Sequence, residues 1–497
     1  MKKGFTLIEL LAVILILGII ALIAIPTVNN ILKESRRGAF QSTLTNLAKA
    51  IEEKCTTEQI KNQEITIEYV IENGVISPKL DIKGALPDGT IYVNQECLVS
   101  FTLSDNNFTG IKDFEGELVI SEKENTNTVL LYKEAILNGA YPELDDGMIP
   151  VIVANDGTVT KADLTTKWYS YAEKMWANAV LVKEDKRQDY KDADGGSTID
   201  TSDILGYFVW IPRFKYFIPT GGTTTPSSIN IVFENNKTEL SVGDAVNTHY
   251  SHPAFTFGNT KLNGFWMGKF ETTGTAAEPT VLPNVVSQTG NDVNTDFNSS
   301  RLLMGNTYGV QGDARVMKND EWGAAAYLSH SQYGIDGEIR GNNNSTVLTG
   351  CGASALNEGQ TTACQISYGS ATDYPQSSTG NISGAFDMAG GRWDRVMLMY
   401  NNLISSSGLT THPDSKYYNL VTSTNYSQAC NGGICYGQAL SETVGWYSDK
   451  NGPYTETYPW ISRGSLANGT SGTGAFAIGY CHGGPCGDGF RITISKN

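Results

Sequence analysis

The feature that most constrains this chain is an apolar run from Phe5 to Ile25 that contains one charged residue, Glu9. At ~1.5 Å per helical residue the run reaches about 31 Å, which is enough to cross the hydrocarbon core of a bilayer. Lys2 and Lys3 precede the run and favour a cytoplasmic N-terminus. No small-residue cleavage site follows it, so we predict that the segment is retained rather than removed as a secretory signal.

Glu9 is the informative position, because a carboxylate inside an apolar span is costly unless it finds a cation. The opening KKG followed by FTLIELL resembles the type IV pilin and pseudopilin family. The resemblance implies cleavage between Gly4 and Phe5 by a prepilin peptidase and methylation of the new Phe5 amine. It also implies pairing of Glu9 with the terminal amine of a neighbouring subunit, and Pro26 lies where pilins place a helix-loosening proline. The alternative is a plain signal anchor with an accidental glutamate.

The region after Pro26 is predicted to form a pilin-like helix followed by a small sheet. Phe40, Leu44, Leu47 and Ile51 recur at helical spacing on one stripe, which would pack on a head. Short alternating runs with turn signals between them then predict β-strands up to about residue 120. The predicted segments are a leader at 1–4, a helix at 5–53 with its membrane and assembly part at 5–25, a β head at 54–137, a linker at 138–150 and a body at 151–497.

The body carries several landmarks that can be placed on elements. The aromatic runs 207–212 and 265–270 are strand candidates, and Asn319 is predicted to cap a helix that runs to Leu328. Five segments follow one another along the chain: GFWMGKFETTG (264–274), NDEWGAAAYL (319–328), GAFDMAGGRWDRVM (384–397), RGS (463–465) and GFR (489–491). In this order they resemble the formylglycine-generating-enzyme branch of the C-type lectin fold. The resemblance implies an α+β fold class, with a loop-rich body after the helix and head.

The positions that carry catalysis in the enzymes of this family are not matched in this chain. Cys481 and Cys486 lie directly before GFR, whereas the family's cysteine pair lies well upstream of it. The residues directly after RGS (463–465) are Leu466, Ala467, Asn468 and Gly469, none of which can bind copper or act as a thiol nucleophile. We therefore expect no enzymatic activity.

Calcium is the one cofactor that the resemblance implies. The aligned positions are Gly390, Gly391, Trp393 and Asp394, where Asp394 would supply one carboxylate oxygen and backbone carbonyls the others. Gly391 and Asp394 depart from the family pattern, so a solvated loop acid is the equal alternative.

A ligand-binding face is predicted at 466–480 and the neighbouring aromatic loops, because some members of this branch diversify the residues before the final GFR. Exposed tyrosines bind at low entropic cost, and Asn, Ser and Gly adapt their hydrogen bonds to a partner. Tyr454 and Tyr458 are expected to be exposed, whereas a core position is the alternative for Trp460. The predicted ligand-contacting residues are Tyr454, Tyr458, Trp460, Leu466, Asn468, Phe476 and Tyr480.

The cysteines indicate the compartment of the protein, and the net charge limits the partners that it can bind. Eight cysteines in local couples suit an oxidising, extracytoplasmic setting, with eight reduced thiols as the alternative. A formal net charge of −16 disfavours binding of nucleic acid. The predicted disulfides are Cys55–Cys97, Cys351–Cys364, Cys430–Cys435 and Cys481–Cys486.

Together these observations predict a minor or tip pilin that presents a lectin-fold adhesin or receptor body to an extracellular ligand. The precursor would lie in the cytoplasmic membrane, and the mature protein on a pilus or at the cell surface. Its partners would be other pilin subunits, the prepilin peptidase and an unknown ligand. The alternatives are a pseudopilin of a secretion or DNA-uptake system and a surface-anchored oxidase.

Overall fold

A computed structural model shows a mixed, mostly β protein with a helix at its N-terminal end. It divides the chain into two compact units, Met1–Ile136 and Leu137–Asn497. The structure describes residues 7–61, 65–72, 74–80, 82, 86–94, 96–105, 108–112, 114, 118–122, 139–164, 166–234, 249–339, 368–369, 377–424, 435–452, 454–466, 472 and 474–496. The side chains of 7–33, 121 and 122 are not among those described.

The first unit contains helix α1 (Leu7–Ile60) and one antiparallel sheet. Phe40, Leu44, Leu47 and Ile51 are buried against the sheet, so the predicted helical stripe is confirmed. The helix continues past its predicted end at 53, because Cys55 extends the same buried face by one further turn.

The sheet of the first unit has six strands, and neighbouring strands pair in an antiparallel fashion. A Cβ added at Gly110 would lie 2.0 Å from a Leu44 methyl carbon, so this glycine lets the helix approach the sheet. The strands are β1 (Glu68–Glu72), β2 (Val75–Ser77), β3 (Asp88–Val93), β4 (Val99–Ser104), β5 (Phe108–Lys112) and β6 (Val119–Glu122), in the sheet order β2-β1-β3-β4-β5-β6.

Where side chains are described, no helix has both the length and the apolar character that crossing a bilayer requires. The predicted membrane segment, 5–25, lies outside those residues.

The second unit contains the remaining elements. Its helices are α2 (Glu184–Asp192), α3 (Val293–Arg301) and α4 (Asn319–His330). Its strands are β7 (Met148–Val153), β8 (Val159–Lys161), β9 (Asn178–Val182), β10 (Ile204–Pro212), β11 (Phe214–Phe217), β12 (Asn230–Phe233), β13 (Tyr250–Ser251), β14 (Thr256–Phe257), β15 (Thr260–Lys261), β16 (Gly264–Gly268), β17 (Thr273–Gly274), β18 (Pro279–Thr280), β19 (Asp313–Val316), β20 (Asp394–Tyr400), β21 (Asn419–Val421), β22 (Trp460–Arg463), β23 (Ile478–Cys481), β24 (Gly489–Phe490) and β25 (Ile492–Ser495).

Two larger sheets organise this unit. A seven-stranded antiparallel sheet has the order β19-β25-β16-β10-β9-β7-β8. A five-stranded sheet has the order β21-β20-β22-β23, with β24 also paired to β20. In this second sheet β20 runs parallel to β21 and β24 and antiparallel to β22. The smaller sheets are β12-β11-β13, β14-β15 and β17-β18.

The two predicted aromatic strands pair with each other at the centre of the seven-stranded sheet. Trp210 of β10 lies opposite Trp266 of β16, and their ring centroids are 5.3 Å apart. Both indoles are buried, as expected for large aromatic residues in the core. The prediction of strands at these two runs is confirmed.

The predicted linker at 138–150 is wrong, because much of this segment packs in the second unit. The Trp210 indole donates to the Ala140 carbonyl at 3.0 Å, and the Trp266 indole donates to the Glu143 carbonyl at 2.9 Å. Asp145 is buried and accepts from the Gln311 amide at 2.7 Å. Its Gly, Pro and acidic residues therefore make fixed contacts, whereas composition alone predicted a solvated connection.

Helix α4 is buried along its whole length. The N-cap residue is Lys318 and not the predicted Asn319, which is the first helical residue and whose side-chain amide donates to the Gln438 carbonyl at 2.8 Å. Glu321 instead accepts from the Lys318 backbone amide at 2.9 Å, which satisfies one free donor of the first turn.

Candidate functional site

Two exposed tyrosines lie together at the β22–β23 edge of the five-stranded sheet. Tyr480 is 47% exposed and lies on β23 opposite Ile461 of β22. Tyr458 is 37% exposed and lies just before β22. Their ring centroids are 5.1 Å apart. The two phenol rings therefore form one continuous aromatic surface, which is unusual because large aromatics are mostly buried.

A lysine extends this surface. The Lys450 ammonium lies 5.6 Å from the centroid of the Tyr480 ring and 5.4 Å from that of the Trp393 ring. Both separations are within the range of cation–π attraction. Among the described residues, the ammonium has no carboxylate partner. It remains able to pair with an anion from solution.

Trp393 and His482 border the surface on two sides. A Cβ added at Gly479 would lie 3.1 Å from the Trp393 ring, so the indole covers this glycine. The His482 imidazole stacks near the Tyr458 ring, with centroids 6.3 Å apart and an interplanar angle of 25°. We refer to Trp393, Lys450, Tyr458, Tyr480 and His482 as the aromatic ridge.

Backbone hydrogen bonds fix the segments that carry the ridge. The Lys450 amide donates to the Gly472 carbonyl at 2.8 Å, and the Lys450 carbonyl accepts from the Ile478 amide at 2.7 Å. Tyr458 closes a turn in which the Thr455 amide donates to the Tyr458 carbonyl at 3.1 Å. The rings and the ammonium are thus presented on an ordered backbone, which reduces the entropy that binding would cost.

An aspartate lies beneath the ridge-bearing segments. Asp449 accepts from the Phe476 amide at 3.1 Å, and its carboxylate fills the space beside Gly474, where a Cβ would lie 2.3 Å from it. Burial raises the pKa of Asp449 to about 7, and the hydrogen bond from Phe476 opposes this shift. This carboxyl group therefore joins the two segments and titrates near neutral pH.

The structure corrects part of the predicted ligand-binding face. The prediction that Tyr454 is exposed is wrong, because this residue is fully buried and its hydroxyl donates to the Ser423 carbonyl at 2.8 Å. The turn-rich stretch folds inward there, so that Tyr454 packs on Tyr400 with centroids 5.2 Å apart. Trp460 and Phe476 are also buried in the core.

The other predicted ligand-contacting residues differ in how exposed they are, and one of them is not described. Leu466 is half-buried, and Asn468 lies outside the described residues. Tyr458 is exposed, as the sequence predicted, and Tyr480 is exposed as well. Whether these two residues contact a ligand stays a prediction.

The positions aligned with a calcium loop make separate contacts in the structure. Gly390 and Gly391 have φ values of 106° and 74°, which favour glycine, and the Gly390 amide donates to the Gly464 carbonyl at 3.0 Å. Trp393 belongs to the ridge, whereas the buried Asp394 accepts from the Arg491 guanidinium at 3.1 Å. Asp394 therefore already has one cationic partner, and calcium binding by Gly390, Gly391, Trp393 and Asp394 stays a prediction.

Asp394 and Arg491 form a buried ion pair between β20 and the GFR segment. Burial raises the pKa of Asp394 to about 6, and Arg491 opposes the shift. Arg491 also donates to the Gly268 carbonyl at 2.9 Å, so it links the two larger sheets. The structure therefore gives the arginine of GFR a role in packing.

Two of the predicted cysteine pairs are disulfides. Cys55–Cys97 has a Cα–Cα distance of 5.5 Å, and Cys481–Cys486 has one of 6.9 Å. The Cys481, His482 and Cys486 ligand atoms lie close enough to suggest a metal site, but the disulfide leaves no thiolate to bind one. Cys435 is also disulfide-bonded, although its predicted partner Cys430 lies outside the described residues, as do Cys351 and Cys364.

The processing and assembly residues cannot be placed by their side chains. Gly4, Phe5, Glu9 and Pro26 all lie outside the described side chains.

The sequence analysis did not predict Lys450 or His482 as binding residues, and it assigned Trp393 to a possible calcium loop. Tyr480, which the sequence did predict, is the exposed residue of β23 between the buried Gly479 and Cys481. Lys450 carried no local signal, because its ring contacts join segments that are distant in sequence.

Comparison with known proteins gives one clear finding. The prokaryotic N-terminal methylation motif matches residues 1–25. No curated protein matches the chain. A solved structure, the Major Tropism Determinant I1 Variant, is 11% identical with a TM-score of 0.25, and the match covers 80% of this chain and 81% of that one. So low a TM-score carries no argument about the fold.

The match places a type IV prepilin-like methylation motif at residues 1–25 of this chain. This motif supports a pilin-like or pseudopilin-like role. It implies processing by a prepilin peptidase, assembly with other pilins, and a membrane-anchored precursor that later becomes surface-exposed.

Proposed function

We propose that this chain is a minor, tip-located subunit of a type IV pilus-like filament, and that its second unit binds an extracellular ligand. The methylation motif at residues 1–25 carries the proposal. The size of the second unit, Leu137–Asn497, supports a minor position, because so large a body would obstruct dense lateral packing of every subunit.

The aromatic ridge supports the binding role. Exposed tyrosines beside a lysine that has no carboxylate partner among the described residues favour contact with a ligand over packing within the chain. The resemblance of the body to a lectin-like fold belongs to the same proposal, as does the absence of enzymatic activity.

The N-terminus provides the decisive test. Mass spectrometry of the mature protein should show a methylated Phe5 as the first residue, because cleavage is expected after Gly4. A mature terminus beyond Pro26 would contradict the filament role.

Assembly can be tested separately from processing. Glu9→Val should insert into the membrane as well as the natural protein, since a charge is removed from lipid. It should be depleted from sheared filaments, because the partner of the neighbouring terminal amine is lost. Glu34→Val, which removes an exposed acid outside the apolar run, is the matched control. Equal incorporation of both variants would contradict the proposed pairing of Glu9.

A further inference from the structure

We propose that the aromatic ridge binds carboxylated pyranose rings of an acidic polysaccharide, with Tyr458 and Tyr480 as stacking faces and Lys450 as the partner of the carboxylate. This inference rests on the proposed ligand-binding function and names the class of ligand.

The shape of the ridge suits sugar rings. The Tyr458 and Tyr480 rings are exposed neighbours tilted by 52°, so together they form a shallow angled face. The negative face of an aromatic ring attracts the electropositive C–H groups of a pyranose, while the sugar hydroxyls stay in water. Each phenol hydroxyl also provides a donor and an acceptor at the rim of the contact.

Lys450 determines the charge of the ligand. The ammonium is held between the Trp393 and Tyr480 rings, and its hydrogens have no carboxylate acceptor among the described residues. A carboxylate on a sugar stacked against Tyr480 would lie within reach of this group. Charge-assisted hydrogen bonds of this kind are stronger than neutral ones.

The surroundings argue for a sugar over a protein partner. From 435 to 496, the described side chains that are both large and apolar and also exposed are Tyr458 and Tyr480. Protein interfaces usually need a wider apolar centre, with aliphatic and aromatic side chains buried together. Thr455, Glu456 and Thr457, which precede Tyr458, are exposed and polar or charged.

The overall charge adds a constraint that makes the inference testable. At a net charge of −16 the protein repels polyanions in general, so a carboxylate alone should not suffice. Binding should require the pyranose ring and the carboxylate together.

Three polymers separate these requirements. Full-length protein in detergent micelles would be titrated with oligomers of polygalacturonate, with the same oligomers methyl-esterified, and with poly-glutamate. We expect binding to polygalacturonate, about tenfold or more weaker binding to the esterified oligomers, and none to poly-glutamate. Equal binding of the esterified oligomers would overturn the role of Lys450, and binding of poly-glutamate would overturn the role of the rings.

Variants locate the site. Lys450→Met and Tyr480→Ala should each weaken binding about tenfold to a hundredfold, whereas Tyr480→Phe should retain most of it. The matched control is Lys416→Met, because Lys416 also lies over two rings, at 5.0 Å from Phe257 and 5.1 Å from Tyr417, but those rings are buried. Unchanged affinity in Lys450→Met and Tyr480→Ala would place the sugar elsewhere and overturn the inference.

The final arm distinguishes this inference from the function on which it rests. If no sugar polymer binds, but Lys450→Met and Tyr480→Ala abolish attachment of filament-bearing cells to a protein-coated surface, the ligand class is wrong and the binding function stands. If the protein never enters filaments, the proposed function fails whatever the polymers show.

Discussion

The Cys55–Cys97 disulfide should account for much of the stability of the first unit. It joins the last turns of α1 to the sheet across a sequence separation of 42 residues, for which loop-closure entropy gives about 4 kcal/mol. Replacing both cysteines by alanine should therefore lower the free energy of unfolding of this unit by about that amount. Both side chains are buried, so a small packing loss adds to the effect.

Native-state hydrogen exchange of the full-length protein, read by peptide mass spectrometry, measures this effect locally. Amides of β3 and β4 should exchange about a thousandfold faster in the double variant, because 1.4 kcal/mol corresponds to about tenfold. The reduced natural protein should behave similarly, which separates the covalent bond from the packing.

A second disulfide provides the control. Cys481–Cys486 spans a separation of only 5 residues, for which the same relation gives about 2 kcal/mol. Its double alanine variant should leave exchange in β3 and β4 unchanged. The reasoning fails if removal of Cys55–Cys97 accelerates exchange in the first unit less than about tenfold.

Two further predictions concern packing and pH. Gly323→Ala should lower the free energy of unfolding by about 1–3 kcal/mol, because its Cβ would lie 2.1 Å from the Gly437 carbonyl oxygen. Gly38→Ala, at a helical position where no described residue outside the local helix backbone lies within 4 Å of the added Cβ, should raise it by about 0.5–1 kcal/mol, and thermal unfolding that moved both variants in one direction would contradict this. Burial raises the pKa of Asp449 from 3.8 to about 7, so the folded state holds this proton more tightly and the contribution of the group to stability falls as pH rises through that window. Asp449→Asn should remove this fall, and denaturant titrations between pH 4 and 8 with parallel curves for both proteins would contradict it.

Local patterns predicted much of the fold. The helical stripe from Phe40 to Ile51 and the aromatic runs of β10 and β16 were readable because each buried face repeats at the period of its own element. The Cys55–Cys97 disulfide could be predicted because Cys55 follows the helical stripe and Cys97 lies among the predicted strands.

The errors and omissions come from long-range contacts. Composition could not reveal that the segment around Asp145 binds the backbone at Gln311, because both partners look like ordinary loop residues. Tyr454 has the same turn-rich neighbourhood as Tyr458, yet one packs on Tyr400 and the other is exposed. The ridge depends on contacts between Lys450, Trp393 and Tyr480 that no local period encodes.

The position of β25 has a consequence for biosynthesis. Although latest in sequence among the seven strands of its sheet, β25 lies between β16 and β19, which do not pair with each other. Until residues 492–495 have emerged from the ribosome and reached the folding compartment, both neighbours present unpaired edges. Such edges invite aggregation, and pairings this distant in sequence form slowly. The newly synthesised second unit is therefore expected to depend on chaperones until β25 pairs with its neighbours. This delay would also keep the chain sufficiently unfolded for translocation.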